Sequence, residues 1–217
     1  MFPFFAMNFI DLSHPFTEDM PVYPGSDPPI LTNVATVAGN GYAEKRLTLF
    51  SHTGTHIDAP SHVLSEGLSI DALSVTHFAG AACVLDFSEY SAPEITHEDM
   101  IACRSSIDGS EFVLLHTGWS RYWGTNAYYT GYPVLSTKAA QWLSQFRLKG
   151  LGIDAISVDH PESSGLPVHR ILLSASILII ENLNCLNQLP SHHFMMTAFP
   201  LRIHNGDGSP VRAVAML

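Results

Sequence analysis

Residues 51–63 read SHTGTHIDAPSHV and place His52, His56, Asp58 and His62 in one short segment. All four side chains belong to residue types that bind divalent first-row metals, imidazole suiting zinc and carboxylate suiting harder ions. The residues between them are mostly small or rigid. A segment so rich in ligand groups predicts a metal site around which the rest of the chain is arranged.

The spacing of these ligands constrains the backbone. In a straight strand rising ~3.3 Å per residue, His52 and His56 would lie roughly 13 Å apart, too far to share one ion. In a helix they would be neighbours, but Gly54, Pro60 and the β-branched residues between them disfavour a helix. We therefore predict an irregular loop that curls at Gly54 and then runs extended towards His62.

Composition sets limits on the class of protein. The chain has 217 residues, 46% hydrophobic and 14% charged, which is enough apolar material for one large domain covering residues 1–217. Its net charge is −10. Nucleic acids and anionic membranes both attract clustered Lys and Arg, so neither is an expected partner. Low charge with high apolar content also suggests apolar surface buried between subunits.

The cysteines and the amino terminus indicate a cytoplasmic protein. Cys83, Cys103 and Cys185 are odd in number and far apart, so they predict neither a disulfide framework nor a thiolate zinc site. The opening MFPFFAMNFIDLS has no basic residue before its apolar run, no small-residue cleavage pattern and too little length to span a bilayer. Residues 1–6 are interpreted as an extension, with Met7 as the usual first residue.

Apolar runs and turn signals predict an α/β fold. Short apolar runs indicate buried strands, and strands that alternate with helices favour a layered fold with parallel strands. An early hairpin through residues 39–41 (GNG) adds an antiparallel component, so we expect one mixed sheet. The predicted strands are Phe9–Leu12, Ile30–Val37, Tyr42–Phe50, Ala81–Phe87, Phe112–His116, Leu151–Ile156 and Ile177–Ile180; the predicted helices are Ser91–Arg104, Ser136–Phe146 (stopped by Gly150) and Val168–Leu173.

Two loops could border a site. Residues 19–29 (DMPVYPGSDPP) form a proline-rich loop with Tyr23 in its middle, a rigid way to hold an aromatic ring beside a pocket. The alternative is a tyrosine that packs on its own domain. Residues 119–133 are aromatic and glycine-rich, and they are interpreted as a loop that covers a site or as a contact between subunits.

A metal site built from one loop is rarely complete, so further ligands are expected at strand ends. Glu181 directly follows the apolar run SILII, where a carboxylate is costly unless it is paired or bound to metal. His169 lies on the short helix that leads into the same strand. Both are candidate ligands.

The remaining histidines have weaker claims to a role. His97, His192, His193 and His204 lie in polar or loop contexts and are interpreted as structural or surface residues. His14, His77, His116 and His160 are ambiguous from sequence alone. Of these, His160 in SVDHPES is the strongest further candidate.

The segment from His52 to His62 resembles the H-x-G-T-H-x-D-x-P-x-H signature of the putative cyclase family, which includes bacterial kynurenine formamidases and isatin hydrolases. The similarity extends in order through DLSHP, VYPG, IDALS, LLHTGW, GIDAISVD and PLRIHNGDGSPVRAVAM, so it spans essentially the whole chain. It implies a compact ββα, swivelling-domain-like fold within the α/β class. It also implies a homodimer or homotetramer.

The resemblance implies a role for each ligand-type residue. His52, His56 and Asp58 match metal ligands, with Asp58 bridging two ions, and His62 matches the catalytic histidine. The remaining matches are His169 and Glu181 as ligands, Glu181 also bridging, and Tyr23 at a substrate-contacting position where the bacterial kynurenine formamidases carry tryptophan. The implied cofactor is a pair of divalent ions, zinc or manganese.

The resulting functional hypothesis is hydrolysis of a non-peptide C–N bond in an amide or formamide of a small aromatic or cyclic molecule. A second hypothesis keeps the metal centre for a cyclase, dehydratase or lactone-type reaction. A third is a catalytically silent metal-binding protein. His62 beside a full ligand set argues against the third, because a silent site has no need of an unligated histidine.

Overall fold

The computed structural model describes residues 8–192 and 194–217; the predicted start at Met7 and the interpretation of His193 concern residues outside this part. The described residues form twelve strands and five α-helices. The strands are β1 Phe9–Asp11, β2 Ile30–Ala35, β3 Glu44–Thr48, β4 His56–Asp58, β5 Ala79–Asp86, β6 Glu94–Ile95, β7 Phe112–His116, β8 Val134–Leu135, β9 Gly150–Ile153, β10 Leu178–Glu181, β11 Phe194–Pro200 and β12 Gly208–Met216. The α-helices are α1 Val37–Asn40, α2 His97–Ala102, α3 Arg104–Ile107, α4 Thr137–Leu143 and α5 Pro167–Ser174.

Short 3₁₀ helices occupy several connections. They are Pro60–His62, Ile70–Ala72, Val75–Phe78, Trp119–Tyr122, Asn126–Tyr129 and Leu186–Gln188. Two of them lie in the aromatic segment 119–133, which the sequence predicts only as a loop. Within the described residues, no helix is long and apolar enough to cross a membrane.

The main sheet closes into a barrel. Its strand order is β1-β12-β11-β5-β7-β9-β10-β4, and β12 also pairs with β4, so seven strands form a ring with β1 added beside β12. Strands β5, β7, β9 and β10 run parallel, and the other pairings in this sheet are antiparallel. The predicted α/β class with a mixed sheet is confirmed, while the swivelling-domain-like ββα description stays a prediction.

Alternation along the strands divides the apolar side chains between two cores. On β7, Phe112 and Leu114 belong to the core enclosed by the barrel, and Val113 and Leu115 to the core between the barrel and its outer layer. Close neighbours explain Gly152 on β9, since a Cβ there would lie 2.7 Å from Leu114 Cδ2. The inside of the barrel is therefore packed with side chains.

Helices cover the outer face of the parallel strands. Helix α4 begins at the predicted cap, where Ser136 Oγ accepts a hydrogen bond from the Ala139 N–H at 3.1 Å. It ends at Leu143, and the predicted stop Gly150 instead begins β9. The predicted helix from Ser91 is wrong in its first turn: β6 comes first, and α2 starts after Thr96, whose capping box with Asp99 fixes the boundary.

The predicted early hairpin forms a protruding arm, residues 30–48. Strands β2 and β3 pair antiparallel as expected, but α1 joins them in place of the predicted glycine turn. Every residue of β3 is exposed, and several large apolar residues on or beside the arm are 43–67% exposed. A two-stranded hairpin alone is marginally stable in water, so the arm lacks the cover that the barrel strands have.

The ligand-rich segment is more regular than predicted. It contains strand β4, held between β10 and β12, followed by the 3₁₀ helix Pro60–His62. The predicted curl is confirmed at Gly54, which has φ +68°. A Cβ on Gly54 would also lie 2.6 Å from Met20 Cε, so both conformation and space favour glycine.

Candidate metal centre

Strand β4 presents its residues to opposite faces of the barrel. Ile57 points into the enclosed core, and its cross-strand partner Ile180 does the same. His56 and Asp58 point to the outer face, and His56 stands directly opposite Glu181 of β10. Paired residues of neighbouring strands have Cβ atoms ~4.5–5.5 Å apart, so the sheet register itself brings the imidazole and the carboxylate together.

The Gly54 turn orients His56. His56 Nδ1 lies 2.8 Å from the Gly54 carbonyl oxygen, which also accepts a hydrogen bond from Asn182 Nδ2 at 2.8 Å. Asn182 in turn accepts from the Tyr128 hydroxyl at 2.7 Å. With Nδ1 held by a carbonyl, Nε2 of His56 is left facing Asp58 and Glu181.

Helix α5 delivers His169 from the outer layer. Leu166, just before the helix, offers no side-chain cap, and Asp159 from the preceding loop takes that place. Its Oδ1 accepts from the Val168 N–H and its Oδ2 from the His169 N–H, both at 3.0 Å. Asp159 Oδ2 also lies 2.7 Å from His169 Nδ1, so Nε2 of His169 points towards the strands.

The two imidazoles face the same two carboxylates. His56 Nε2 lies 3.4 Å from Asp58 Oδ1 and 3.5 Å from Glu181 Oε2. His169 Nε2 lies 3.5 Å from Asp58 Oδ2 and 3.2 Å from Glu181 Oε1. All four side chains are buried. Each carboxylate therefore directs one oxygen to each histidine.

These separations fit metal coordination. Zinc ligands lie ~2.0–2.2 Å from the ion, so two of them at a tetrahedral angle are roughly 3.3 Å apart, close to the four distances above. Hydrogen bonds between such groups are shorter, ~2.7–2.9 Å. Asp58 Oδ2 is buried with no hydrogen-bond partner among the described residues. A buried carboxylate oxygen left in this way fits a site made for a cation.

His52 and His62 lie at the more open side of this cluster. His52 Nδ1 is 2.7 Å from Asp58 Oδ1, and the His52 and His62 rings lie 4.0 Å apart, centroid to centroid. Three groups of side chains, each with ligand atoms within 4.8 Å of one another, could hold an ion; they are His52–His56–Asp58, Asp58–His62–His169 and His52–His62–Asp207. The structure thus brings together all six predicted metal-site and catalytic residues.

Burial and neighbouring charges together set the pKa values of the cluster. Burial alone lowers the pKa of His52, but hydrogen bonds and charges from Asp58 and Asp207 outweigh it and raise that pKa to about 9. Burial alone raises the pKa of Asp58, yet the nearby imidazoles of His169 and His52 hold it well below its usual value. Burial lowers the pKa of His62 from its ordinary value, opposed by the charge of Asp58.

Sequence reasoning missed Asp159 and Asp207. The available signal for Asp159 was an uncapped helix start at Pro167, which needs an acceptor from elsewhere in the chain. Asp207 lies in the turn before β12, and its Oδ2 is 3.0 Å from His52 Nε2 and 3.8 Å from His62 Nδ1. Only the closure of the barrel by β12 and β4 brings that turn to the site.

His14, His160 and His204 lie outside the cluster. His160 is exposed, and its Nδ1 accepts a hydrogen bond from the Glu162 N–H at 3.2 Å. Its neighbour Asp159, rather than His160, contacts a residue of the cluster, His169. His14 is buried and stacks on Trp123 at 3.8 Å. His204 is exposed and pairs with Asp71 at 3.2 Å, as its interpretation as a surface residue expects.

A cavity of about 410 Å³ opens above the cluster. Its floor, which we define as His52, His56, Asp58, His169 and Glu181, contains the predicted ligands, and His62, Asp207 and Tyr23 also border it. Tyr23 is 41% exposed and lies on the predicted proline-rich loop. We define the wall as the apolar residues of the cavity, which are Pro21, Val22, Phe50, Ile156 and Leu166.

Comparison with known proteins defines the class. The family model described as "Putative cyclase" matches residues 10–160, and the chain belongs to this family. The chain is 32% identical over 207 residues to a kynurenine formamidase of Bacillus thuringiensis (strain Al Hakam), covering 95% of this chain and 96% of that protein.

Solved structures extend the likeness to the whole fold. An isatin hydrolase A from Labrenzia aggregata, bound to benzyl benzoate, superposes with a TM-score of 0.86 at 28% identity, covering 98% of this chain and 94% of that one. A structure described as a potential metal-dependent hydrolase with cyclase activity gives a TM-score of 0.81 at 30% identity, covering 97% and 98%. The fold, including the barrel, is thus shared with these proteins.

Proposed function

We propose that this protein is a metal-dependent hydrolase that cleaves a non-peptide C–N bond in a small aromatic or cyclic amide, as an arylformamidase does. The observation that carries the proposal is the pair of imidazoles, His56 and His169, that face the same two buried carboxylates at 3.2–3.5 Å. Kynurenine formamidase and isatin hydrolase relatives supply the reaction class.

The floor provides ligands for two divalent ions, zinc or manganese. His52 and His56 would hold one ion and His169 the other, and Asp58 and Glu181 would contribute to both, because each carboxylate directs one oxygen towards His56 and one towards His169. Bound metal lowers the pKa of water towards ~7 and polarises a carbonyl, which is the chemistry that amide hydrolysis needs. Asp159 and the Gly54 carbonyl keep both imidazoles in the orientation that presents Nε2.

His62 is assigned the proton transfer. It borders the cavity, and its ring is about one-quarter exposed. His62 Nδ1 lies 3.8 Å from Asp207 Oδ2, which is longer than a hydrogen bond. Burial lowers its pKa, so the neutral imidazole can accept a proton and then donate it to the leaving nitrogen. Tyr23 and the wall would contact the aromatic part of the substrate.

A chelation experiment tests this function. The protein is stripped with chelator, reloaded with zinc or manganese, and assayed on formanilide, N-formylkynurenine and isatin. Metal-dependent turnover of at least one substrate is expected. Bound metal without turnover of any of them would instead favour a cyclase, dehydratase or lactone-type reaction on the same centre, or a silent metal-binding protein.

We also propose a homodimer or homotetramer in which a second copy covers the arm. Exposed Val37, Tyr42 and Leu47 (67%, 58% and 59%) support this, because such apolar patches mark interfaces. Leu47→Glu should lower the molecular mass measured by light scattering, whereas Lys45→Glu, an exposed polar change on the same strand, should not. A wild-type monomer would contradict the proposal. We further propose that residues 1–217 form one domain with a swivelling-domain-like arrangement. We also propose that the protein is cytoplasmic.

A further inference from the structure

Asn182 directly follows strand β10 and uses all four of its polar groups. Its N–H donates to the Ala155 carbonyl oxygen at 3.0 Å, and its own carbonyl oxygen accepts from Thr55 Oγ1 at 2.7 Å. Its side-chain Nδ2 donates to the Gly54 carbonyl oxygen at 2.8 Å. Its Oδ1 accepts from the Tyr128 hydroxyl at 2.7 Å. Hydrogen bonds therefore fix both the backbone and the side chain of Asn182.

The backbone of Asn182 has φ +59°, in the left-handed region that only glycine and, less often, asparagine and aspartate adopt readily. The residue is also buried. A non-glycine residue keeps this conformation only where its surroundings hold it there, and such positions are concentrated at functional sites. The conformation occurs at the end of β10, immediately after Glu181 has entered the floor.

The partners of Asn182 determine how its side-chain amide is oriented. The Gly54 carbonyl oxygen can only accept a hydrogen bond, so Nδ2 must face it and Oδ1 must face Tyr128. The same carbonyl oxygen lies 2.8 Å from His56 Nδ1, while His56 Nε2 faces the carboxylates of the floor. Asn182 thereby holds the acceptor that orients the His56 ring.

The aromatic segment, residues 119–133, contacts Asn182 directly. None of its residues, all of which the structure describes, borders the cavity, and Tyr128 is fully buried. Trp119 Nε1 donates to the Tyr128 carbonyl oxygen at 3.0 Å, and the Trp123 and Tyr128 rings pack edge to face, 5.1 Å apart. The segment therefore holds the Tyr128 hydroxyl against Asn182.

A second series of contacts joins the same segment to Asn182. The Trp123 ring stacks on His14, with ring centroids 3.8 Å apart. The His14 N–H donates to Thr55 Oγ1 at 3.0 Å, and that hydroxyl donates to the Asn182 carbonyl oxygen. The two series of contacts thus hold the side chain and the backbone of Asn182 separately.

We propose that Asn182 is a positioning residue for the metal centre and that Tyr128 holds it in place; this rests on the proposed metal-dependent function. Asn182 fixes the Gly54 carbonyl and, through it, the rotation of the His56 ring. A ligand whose orientation is already fixed loses less conformational freedom when an ion binds, so its affinity is higher. The aromatic segment therefore supports the floor from outside the cavity.

A double-mutant cycle tests the proposal. Tyr128→Phe removes one hydroxyl, and Asn182→Gly removes the side chain but keeps a residue that adopts a positive φ readily. Competition with a zinc chelator should show a ~10–100-fold loss of zinc affinity for the glycine variant and a loss of at least about threefold for the phenylalanine variant. Because Tyr128 acts through Asn182, its substitution should lose most of its effect in the double variant.

Tyr129→Phe is the matched control, because it makes the same change one residue along and outside these hydrogen bonds; it should keep the wild-type zinc affinity. A purely structural role would lower the unfolding free energy of the metal-free protein without changing zinc affinity. Wild-type affinity in Asn182→Gly, or additive losses in the double variant, would overturn the positioning role.

Tyr128→Phe decides the question alone if the glycine variant does not fold, since it keeps the buried ring. Equal zinc affinities of Tyr128→Phe and Tyr129→Phe would then overturn the proposal. Both comparisons are made without substrate, so they do not depend on amide hydrolysis. Failure of the wild-type protein to bind zinc would instead overturn the metal centre itself.

Discussion

The floor and the wall of the cavity are built on different principles. The floor comes from the paired strands β4 and β10, the start of α5 and the turn that carries His52, and each of its imidazoles and carboxylates lies against groups that orient it. The wall comes from loops, and its residues differ in exposure, with Ile156 buried and Phe50 52% exposed. The barrel therefore positions the candidate ligands, whereas the residues expected to contact a substrate lie on segments that the barrel does not constrain.

Asp58→Asn should have the largest effect. The amide loses the negative charge and one of the two acceptors that face His56 and His169. We expect loss of bound metal and a loss of turnover greater than the ~10²–10⁴-fold that a missing general acid costs. The measurement is metal content with kcat/KM on the same sample.

Ile57→Val is the control on the opposite face of the same strand. It should lower the free energy of unfolding by ~0.5–1.5 kcal/mol and leave metal content unchanged. If the Asp58→Asn variant kept the wild-type metal content, Asp58 would not be a metal ligand.

His62→Ala separates holding metal from moving protons. We expect wild-type metal content with turnover reduced ~10²–10⁴-fold. Metal analysis and kcat on formanilide measure the two properties separately. Loss of the metal in this variant would show that His62 is a ligand and that the division of roles is wrong.

Asp159→Asn should weaken the floor without removing a ligand. The amide can still accept at the helix start, but it no longer offers His169 Nδ1 a charged partner. Loss of such a partner typically costs ~10–100-fold in metal affinity or activity. Competition titration with a zinc chelator measures this, and Glu162→Gln on the same loop, at an exposed position, should leave the affinity unchanged. Equal affinities in both variants would contradict the positioning role.

Tyr23→Ala should have the smallest effect, confined to substrate binding. Aromatic contacts are worth ~0.5–1.5 kcal/mol, so KM for formanilide should rise roughly two- to tenfold, with metal content unchanged. Tyr23→Phe, which keeps the ring, should restore the KM. An unchanged KM in the alanine variant would mean that Tyr23 packs only on its own loop.

Local pattern was sufficient to predict much of the site. The ligand types in residues 51–63, the strand before Glu181 and the helix carrying His169 are all readable within short windows of sequence. The curl at Gly54 was predicted because a straight strand would hold His52 and His56 too far apart to share an ion. Gly54 has φ +68°, as this curl requires. Strand β4 was not predicted, because its regularity comes from pairing with β10 and β12 rather than from its own residues.

Two contacts at the site depend on the tertiary structure and could not be predicted from the local sequence. Asp207 reaches His52 only because β12 pairs with β4 across most of the chain length. Asp159 caps a helix whose own preceding residue, Leu166, cannot do so. Neither relation leaves a periodic or compositional signal near the ligand segment.

We propose that the floor holds divalent metal and that this metal is required for amide hydrolysis. The most direct measurement is the zinc content and the formanilide turnover of the same wild-type sample during stepwise removal and return of metal. We expect turnover to fall to zero as zinc is removed and to recover in proportion to zinc bound. Full turnover in protein free of metal would contradict the account.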